Sequence, residues 1–254
     1  MAANNAYTVP ALEKGLRILE DLAASSEPLS IAELAGKQGK SRNEIYRMLC
    51  CLDSLGYITR EAATKRYSLS LKLFQMASRH PPLERLRLVA AQPIQELADC
   101  IRESCHLCVM DGNDLSVVSQ ASGSERIRIA FQLGARFDPL ETCSGKLLLS
   151  ELEPEARECS LVTSRIFCKA STTVKKGICQ QLEKPAKQRL WEEDSLLRPG
   201  VRDIAVALGA PDTIHATIAV AHLTYRGNAR SIRLIRRAVT AAAQNIEQQL
   251  GLTA

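Results

Sequence analysis

Apolar positions between residues 10 and 70 recur at helical spacing three times and then alternate as in strands. Leu12, Leu16, Leu19 and Leu22 share one face of a helix that runs to about Ala24. Pro10 suits its first turn, where a missing N–H is harmless. Ser25-Ser26-Glu27-Pro28 ends it. Ser30 with Glu33 three residues on forms a capping box, which predicts a short helix over Ile31 to Gln38. Gly39 and Lys40 make a turn, and Ser41 with Glu44 repeats the capping box ahead of a third helix. In that helix Ile45, Met48, Leu49, Leu52 and Leu55 form the apolar face, while Arg42, Asn43, Tyr46, Arg47 and Cys50 form the other. Gly56 stops it. Tyr57 to Arg60 and Tyr67 to Leu71 then alternate as two short strands, with Lys65 and Arg66 near the connecting tip.

Helix, short helix, turn, longer helix and hairpin is the order of a winged helix-turn-helix. The longer helix of such a unit lies in the DNA major groove. Arg42 and Arg47 suit the O6 and N7 acceptors of guanine, Asn43 suits adenine, and Tyr46 completes the readout face. Lys40, Ser41 and the wing residues Lys65 and Arg66 are expected to hold phosphates. The competing reading is a solvated helix face on a protein–protein scaffold.

Past residue 70 the pattern changes. Leu71 to Arg79 reads as a helical connector, and His80-Pro81-Pro82 as a helix stop, so the expected divisions are 1–70, a linker over 71–82, and 83–254. Leu83 to about Glu103 reads as helix interrupted near Pro93. His106 to Met110 and Leu115 to Ser119 read as strands around the turn Asp111-Gly112-Asn113-Asp114. Arg126 to Gln132 is a further expected strand, Thr142 to Ser150 a loop entering a helix, and Val174 to Leu190 a helix kinked or split at Pro185. Ile204 to Leu208 and Thr213 to Ala221 form a second hairpin, and Ala229 to Leu250 a long closing helix. The fold class is α+β: an N-terminal winged helix-turn-helix joined by a helical linker to a C-terminal α/β domain.

Composition narrows the function. The 254 residues, 46% hydrophobic and 24% charged, have the make-up of a globular protein with ample core. The net charge of +5 permits an anionic partner without requiring one, but residues 1–80 hold eleven Lys and Arg against eight Asp and Glu, which places +3 of it there. Aromatics are only 4%, against RNA modules that stack bases on aromatic rings. The start has neither the basic nor the apolar region of a secretory signal, and no apolar stretch is long enough to span a bilayer. A cytoplasmic protein is therefore expected, with no membrane partner and most of its nine cysteines reduced.

Tyr7-Thr8-Val9-Pro10-Ala11-Leu12-Glu13-Lys14-Gly15-Leu16-Arg17-Ile18-Leu19 resembles the opening of IclR-type transcriptional regulators. So do Leu29 to Ala35, Gly39, Tyr46-Arg47-Met48-Leu49, Leu55-Gly56-Tyr57 and the wing strand Tyr67-Ser68-Leu69. In the second half, Gly134-Ala135-Arg136, Ser144 to Leu149 and Gly200 to Ala205 resemble landmarks of the family's effector domain. The resemblance covers nearly the whole chain. It implies a GAF-like effector domain, homodimers or dimers of dimers on a roughly palindromic operator, and control by a small anionic metabolite, commonly an organic acid, sugar acid or aromatic acid. No cofactor and no enzymatic activity are expected. Two departures stand out. The recognition helix has Asn43-Glu44 where the family usually has Ser-Thr, and Asp203 and Ala219 stand where it often has Cys and Ser.

The expected effector site is the approach to the helix near Gly145. Thr142, Cys143 and Ser144 lead into a helix N-terminus, which favours an anion, and Gly145 would let a ligand approach the backbone. Asp203 could accept from a hydroxyl or amine of the same ligand, whereas Lys146 reads as structural. The alternative is that Thr142 and Ser144 only cap the helix. Rival chemistry is thinner. Gly145-Lys146 fails the phosphate-loop pattern because Leu140 and Leu147 stand where Gly and Ser or Thr are needed. There is no Gly-x-Ser-x-Gly elbow, and nothing in the sequence brings His106 to Cys143 as a nucleophile pair. Cys100, Cys105 and Cys108 have an iron–sulfur-like spacing, so a redox-sensing regulator is the alternative function. Against it, an odd separation on a strand sends Cys105 and Cys108 to opposite faces, among apolar neighbours.

Overall fold

A computed structural model describes residues 9–77, 81–183, 189–209, 216–224 and 229–252. Tyr7 and Thr8 of the opening motif, Arg79, His80, Pro185 and Thr213 lie outside the described residues. The chain divides into two compact units, residues 1–84 and 85–254.

The first unit holds α1 (Pro10–Ala23), α2 (Ile31–Gln38), α3 (Arg42–Ser54), the antiparallel pair β1 (Ile58–Arg60) and β2 (Tyr67–Leu69), and α4 (Lys72–Ala77). Both capping boxes form: Ser30 accepts from the Glu33 N–H and Ser41 from the Glu44 N–H, and each glutamate returns to its cap residue's backbone. Gly39 takes φ +60° between α2 and α3, a conformation that costs glycine nothing. Ile18, Leu34, Ile45 and Leu49 are fully buried and centre the core, each contributing about 2 kcal/mol by leaving water. The expected α1 face is only half right. Leu19 and Leu22 are buried, but Leu12 and Leu16 are more than half exposed and Ile18 takes the central place. Leu55 is also exposed, because it lies past the last turn of α3.

The second unit is one six-stranded antiparallel sheet of order β5-β4-β3-β8-β7-β6. Its strands are β3 (Cys105–Asp111), β4 (Asp114–Ala121), β5 (Arg136–Phe137), β6 (Leu190–Asp194), β7 (Val201–Leu208) and β8 (Ala216–Leu223). α5 (Pro81–Ile101) and α10 (Ala229–Leu250) bury Ile94, Leu97, Val239 and Ile246 against one face, where Leu107, Ile204, Val206, Ile218 and Val220 point. α6 (Cys143–Glu151) packs on the other face, over the small side chains of Ala205, Ala207 and Ala219. α7 (Pro154–Thr163), α8 (Arg165–Lys169) and α9 (Thr172–Leu182) complete that layer.

Several expectations change here. The prolines at 81 and 82 open α5 rather than closing the connector helix, since the first turn of a helix does not use their missing N–H groups. Pro93 sits inside α5 without breaking it into separate elements. The strand expected over Arg126 to Gln132 does not form. That stretch is irregular and exposes Ile127, and the last sheet pairing comes from Arg136 and Phe137 instead. The helix read as far as Leu190 ends at Leu182, and Leu190 begins edge strand β6. Arg189 anchors that strand by ion pairs to Glu151 of α6 and Glu247 of α10, both at 3.0 Å. α7 and α8 had no counterpart in the sequence pattern. No helix among the described residues is long and apolar enough to cross a membrane.

Candidate functional site

In the first unit an open groove runs between the outer face of α3 and the wing. Arg42, Asn43, Tyr46, Arg60, Thr64 and Lys65 line it. Arg42 and Tyr46 stand one turn apart, as do Asn43 and Arg47, so the four exposed side chains form adjacent columns on one helix face. Arg47 and Lys40 are exposed beside the groove. Lys65 holds φ +59° at the wing tip. A hydrogen bond to the Cys50 thiol keeps the Tyr46 phenol above its ordinary range, so it is neutral at physiological pH.

Three side chains are committed within the domain. The Ser41 hydroxyl is held by its capping box. Glu44 also pairs with Lys14 of α1 at 2.8 Å, and with the cap this holds its carboxyl down at about 2. It is therefore ionised and occupied. Arg66, expected at a phosphate, instead donates to the Pro28 carbonyl at 2.7 Å and pairs with Glu33 at 3.0 Å. It braces the wing against the start of α2. Arg60 is the residue that the sequence pattern missed. It ends β1 opposite Tyr67, and its guanidinium lies 5.5 Å from that ring. A basic residue closing the first wing strand is the signal that could have singled it out.

In the second unit, Thr142, Cys143, Ser144 and Asp203 line one small cavity of about 20 Å³ under α6, large enough for about one water. β7 brings Asp203 there because residues 203, 205 and 207 face α6 while 204, 206 and 208 face the α5 and α10 side. α6 begins at Cys143, two residues earlier than expected near Gly145. Thr142 caps it, accepting from the Gly145 N–H at 3.0 Å. Capping is thus part of Thr142's role. The N–H groups of Cys143 and Ser144 belong to the first turn, which has no intrahelical acceptor for them.

Gly145 is glycine for a different reason from the one expected. A Cβ there would lie 2.2 Å from the Pro139 carbonyl oxygen, so the residue admits the 3₁₀ turn Pro139–Glu141 rather than a ligand. Lys146 pairs with Glu193 at 2.6 Å. Asp203 lies opposite Glu193 in the sheet, and burial raises its carboxyl above the ordinary range, opposed by a hydrogen bond from Ser195.

The sequence pattern also missed the cavity's aromatic wall. His106 of β3 meets Phe131 edge-on at 4.7 Å between ring centroids, and Phe131 meets Phe137 at 5.4 Å. Burial holds His106 down at about 4, which makes it a neutral ring at pH 7. Cys143 shares the cavity with His106, but its thiol donates to the Trp191 carbonyl at 2.9 Å, and burial pushes it well above the ordinary range. A thiol so placed does not form the thiolate that nucleophilic chemistry needs.

The three cysteines of the iron–sulfur spacing do not converge. Cys100 is exposed on α5, Cys105 is buried on the α5 and α10 side of the sheet, and Cys108 is buried on the α6 side. Burial pushes the Cys108 thiol up to about 12. Among the described residues no cluster of His, Cys, Asp and Glu could hold a metal ion.

The model of the bacterial transcriptional regulator IclR C-terminal domain matches residues 83–248. The chain belongs to the IclR family. The IclR helix-turn-helix domain matches residues 11–62, which hold all but the first residue of α1, and α2, α3 and β1. Members of this family are DNA-binding transcriptional regulators, not enzymes. Among curated IclR relatives, the HTH-type transcriptional regulator KdgR of Escherichia coli is 26% identical over 96% of this chain and 94% of its own. KdgR of Dickeya chrysanthemi is 27% identical over 96% of this chain and 81% of its own. The fold matches that of Thermotoga maritima IclR, with a TM-score of 0.73 at 22% identity over 94% of this chain and 98% of that one. It also matches an IclR homologue of Microbacterium hydrocarbonoxydans solved with 4-hydroxybenzoate, with a TM-score of 0.75 at 17% identity over 94% and 99% of the two chains.

Proposed function

We propose that this IclR-family protein regulates a metabolic operon in the cytoplasm and is controlled by a small anionic metabolite bound under α6. One observation carries the reading: Asp203, distant in sequence from the consecutive Thr142, Cys143 and Ser144, lines a single cavity with them at a helix N-terminus. An anion there is favoured by the helix dipole and by N–H groups that the helix itself does not use. The 4-hydroxybenzoate complex of the Microbacterium protein, itself a small carboxylate, supports the choice of ligand charge.

Residues 1–70 bind the operator, 71–82 connect, and 83–254 sense. Arg42, Asn43, Tyr46 and Arg47 read bases, while Lys40, Lys65 and the cap region of Ser41 hold phosphates. Arg60 joins them from the wing. The protein acts as a dimer or a dimer of dimers on a roughly palindromic site. The metabolite shifts the balance between DNA-competent and incompetent forms, and the shift it can produce is limited by its difference in affinity for the two.

The test uses a duplex selected by the purified protein from a random pool. Anisotropy titrations are run with and without organic acids that raise the melting temperature. A ligand that stabilises the protein should change duplex affinity, and an Ala219→Phe variant, which fills the cavity, should lose the response. A response that survives that substitution would place the effector elsewhere.

A further inference from the structure

Glu44 carries information about the operator, on the reading of α3 as the helix that meets the bases. It stands in the first turn of α3, one turn before Arg47, so it borders the exposed face that Arg47 shares with Asn43. In helix-turn-helix units the first residues of the reading helix contact base edges. The carboxylate is ionised, and its place is fixed from two sides. Lys14 of α1 donates to Oε1 at 2.8 Å, while the Ser41 N–H and hydroxyl donate to Oε2 at 3.3 and 3.2 Å. The two oxygens of a carboxylate offer about four acceptor sites, so three are filled and about one remains. The side chain is 46% exposed, which leaves that site open to a donor from outside the domain.

The chemistry of the free site is one-sided. An ionised carboxylate accepts hydrogen bonds and donates none. In the major groove adenine N6 and cytosine N4 donate, whereas guanine O6 and thymine O4 accept. A keto base against this site would set two acceptors together with no proton between them, and one of them would lose its water unpaired. We propose that Glu44 is a specificity-determining residue, which selects an amino base, adenine or cytosine, on the strand it faces and rejects guanine and thymine, with Lys14 as the residue that positions it. Lys14 has a second effect. Its charge offsets that of Glu44, which the DNA phosphates would otherwise repel.

The experiment selects duplexes from a random pool with the full chain and its variants at neutral pH, then titrates the competing half-sites by anisotropy. The wild type should favour adenine or cytosine about tenfold over guanine or thymine at a position next to the one that Arg47→Ala relaxes. Glu44→Gln keeps an oxygen for the cap but replaces the other with an N–H donor, so the preference should vanish or invert while circular dichroism shows the fold retained. Lys14→Met should weaken the preference severalfold, and Lys14→Arg should restore it. A preference unchanged in Glu44→Gln, or no amino–keto preference beside the Arg47 position, overturns the assignment, and α3 remains the reading helix as long as Arg47→Ala relaxes a position. If Arg47→Ala relaxes none, both readings fail. A preference that Lys14→Met leaves unchanged overturns the role of Lys14 and, should Glu44→Gln fail to fold, that of Glu44 as well.

Discussion

The groove on α3 and the cavity under α6 are built in opposite ways. The groove consists of exposed side chains on a short stretch of chain, held by two capping boxes and the pairs Lys14–Glu44 and Arg66–Glu33. The cavity consists of buried or half-buried side chains drawn from α6, β3, β4, β5, β7, β8 and two irregular segments. A contact surface can therefore be altered one side chain at a time with little effect on folding. The cavity cannot, because each wall residue is also core.

The sharpest test of that contrast is Gly145→Ala. The added methyl would meet the Pro139 backbone, which has no room to yield, so urea unfolding should show a loss of about 3 kcal/mol, at the upper end of ordinary overpacking. A loss below a few tenths would mean the 3₁₀ turn moves freely and that this wall is not rigid. In the groove, Arg47→Ala should cost about 1–3 kcal/mol of specific duplex binding with the melting temperature essentially unchanged. Equal losses on specific and random duplexes would reassign Arg47 from base to phosphate.

Ser41→Ala comes next, at about 1 kcal/mol of stability from the lost cap, read by thermal denaturation. It breaks the comparison if it weakens DNA binding without any loss of stability, because then Ser41 is a contact rather than a support. Lys65→Ala and Arg66→Ala form a finer pair. The first should lower the salt slope of duplex binding by about one and leave stability alone. The second should lower stability and leave the slope alone, because Arg66 is spent on Pro28 and Glu33.

The smallest effect is a pH dependence. The folded state raises the Asp203 carboxyl above its unfolded value, so this group favours folding least once pH has risen past its folded pKa. Asp203→Asn should thus stabilise the protein at neutral pH, and the gain should vanish on acidification below the ordinary aspartate range. Glu44 runs the other way. Its stabilising pair is complete above about 4.5 and lost as pH falls toward about 2, so Glu44→Gln should flatten the acid limb of the stability profile. Acid profiles that are unchanged in both variants would show that neither site is electrostatically tuned.

The first unit was readable from sequence because its signals are local. A capping box needs a serine and a glutamate three residues apart, and both formed as read. The strands around Gly112-Asn113 were legible for the same reason, with Asp111 pairing Asp114 across a tight turn. Failures cluster where a distant neighbour decides. Leu190 looks like the end of a helix until Val206 pairs with it, and Arg189 settles the matter by reaching Glu151 and Glu247. Arg126 to Gln132 has strand-like residues but no strand pairing to complete it. Arg66 looked free at the wing tip because nothing in the sequence announces that Pro28 and Glu33 lie within its reach.

The sequence by itself therefore determined the winged helix-turn-helix, the face that α3 presents, and the residues placed at the head of α6. Side-chain spacing along one element is a local property, and propensity, capping and periodicity act over a few residues. Tertiary structure alone decided that Asp203 sits beside that helix terminus, that His106, Phe131 and Phe137 wall the same space, and that Gly145 serves the Pro139 turn. Those facts depend on strand order and on which face of each strand meets α6. They are settled by the burial of the whole sheet, to which any one segment contributes only a part.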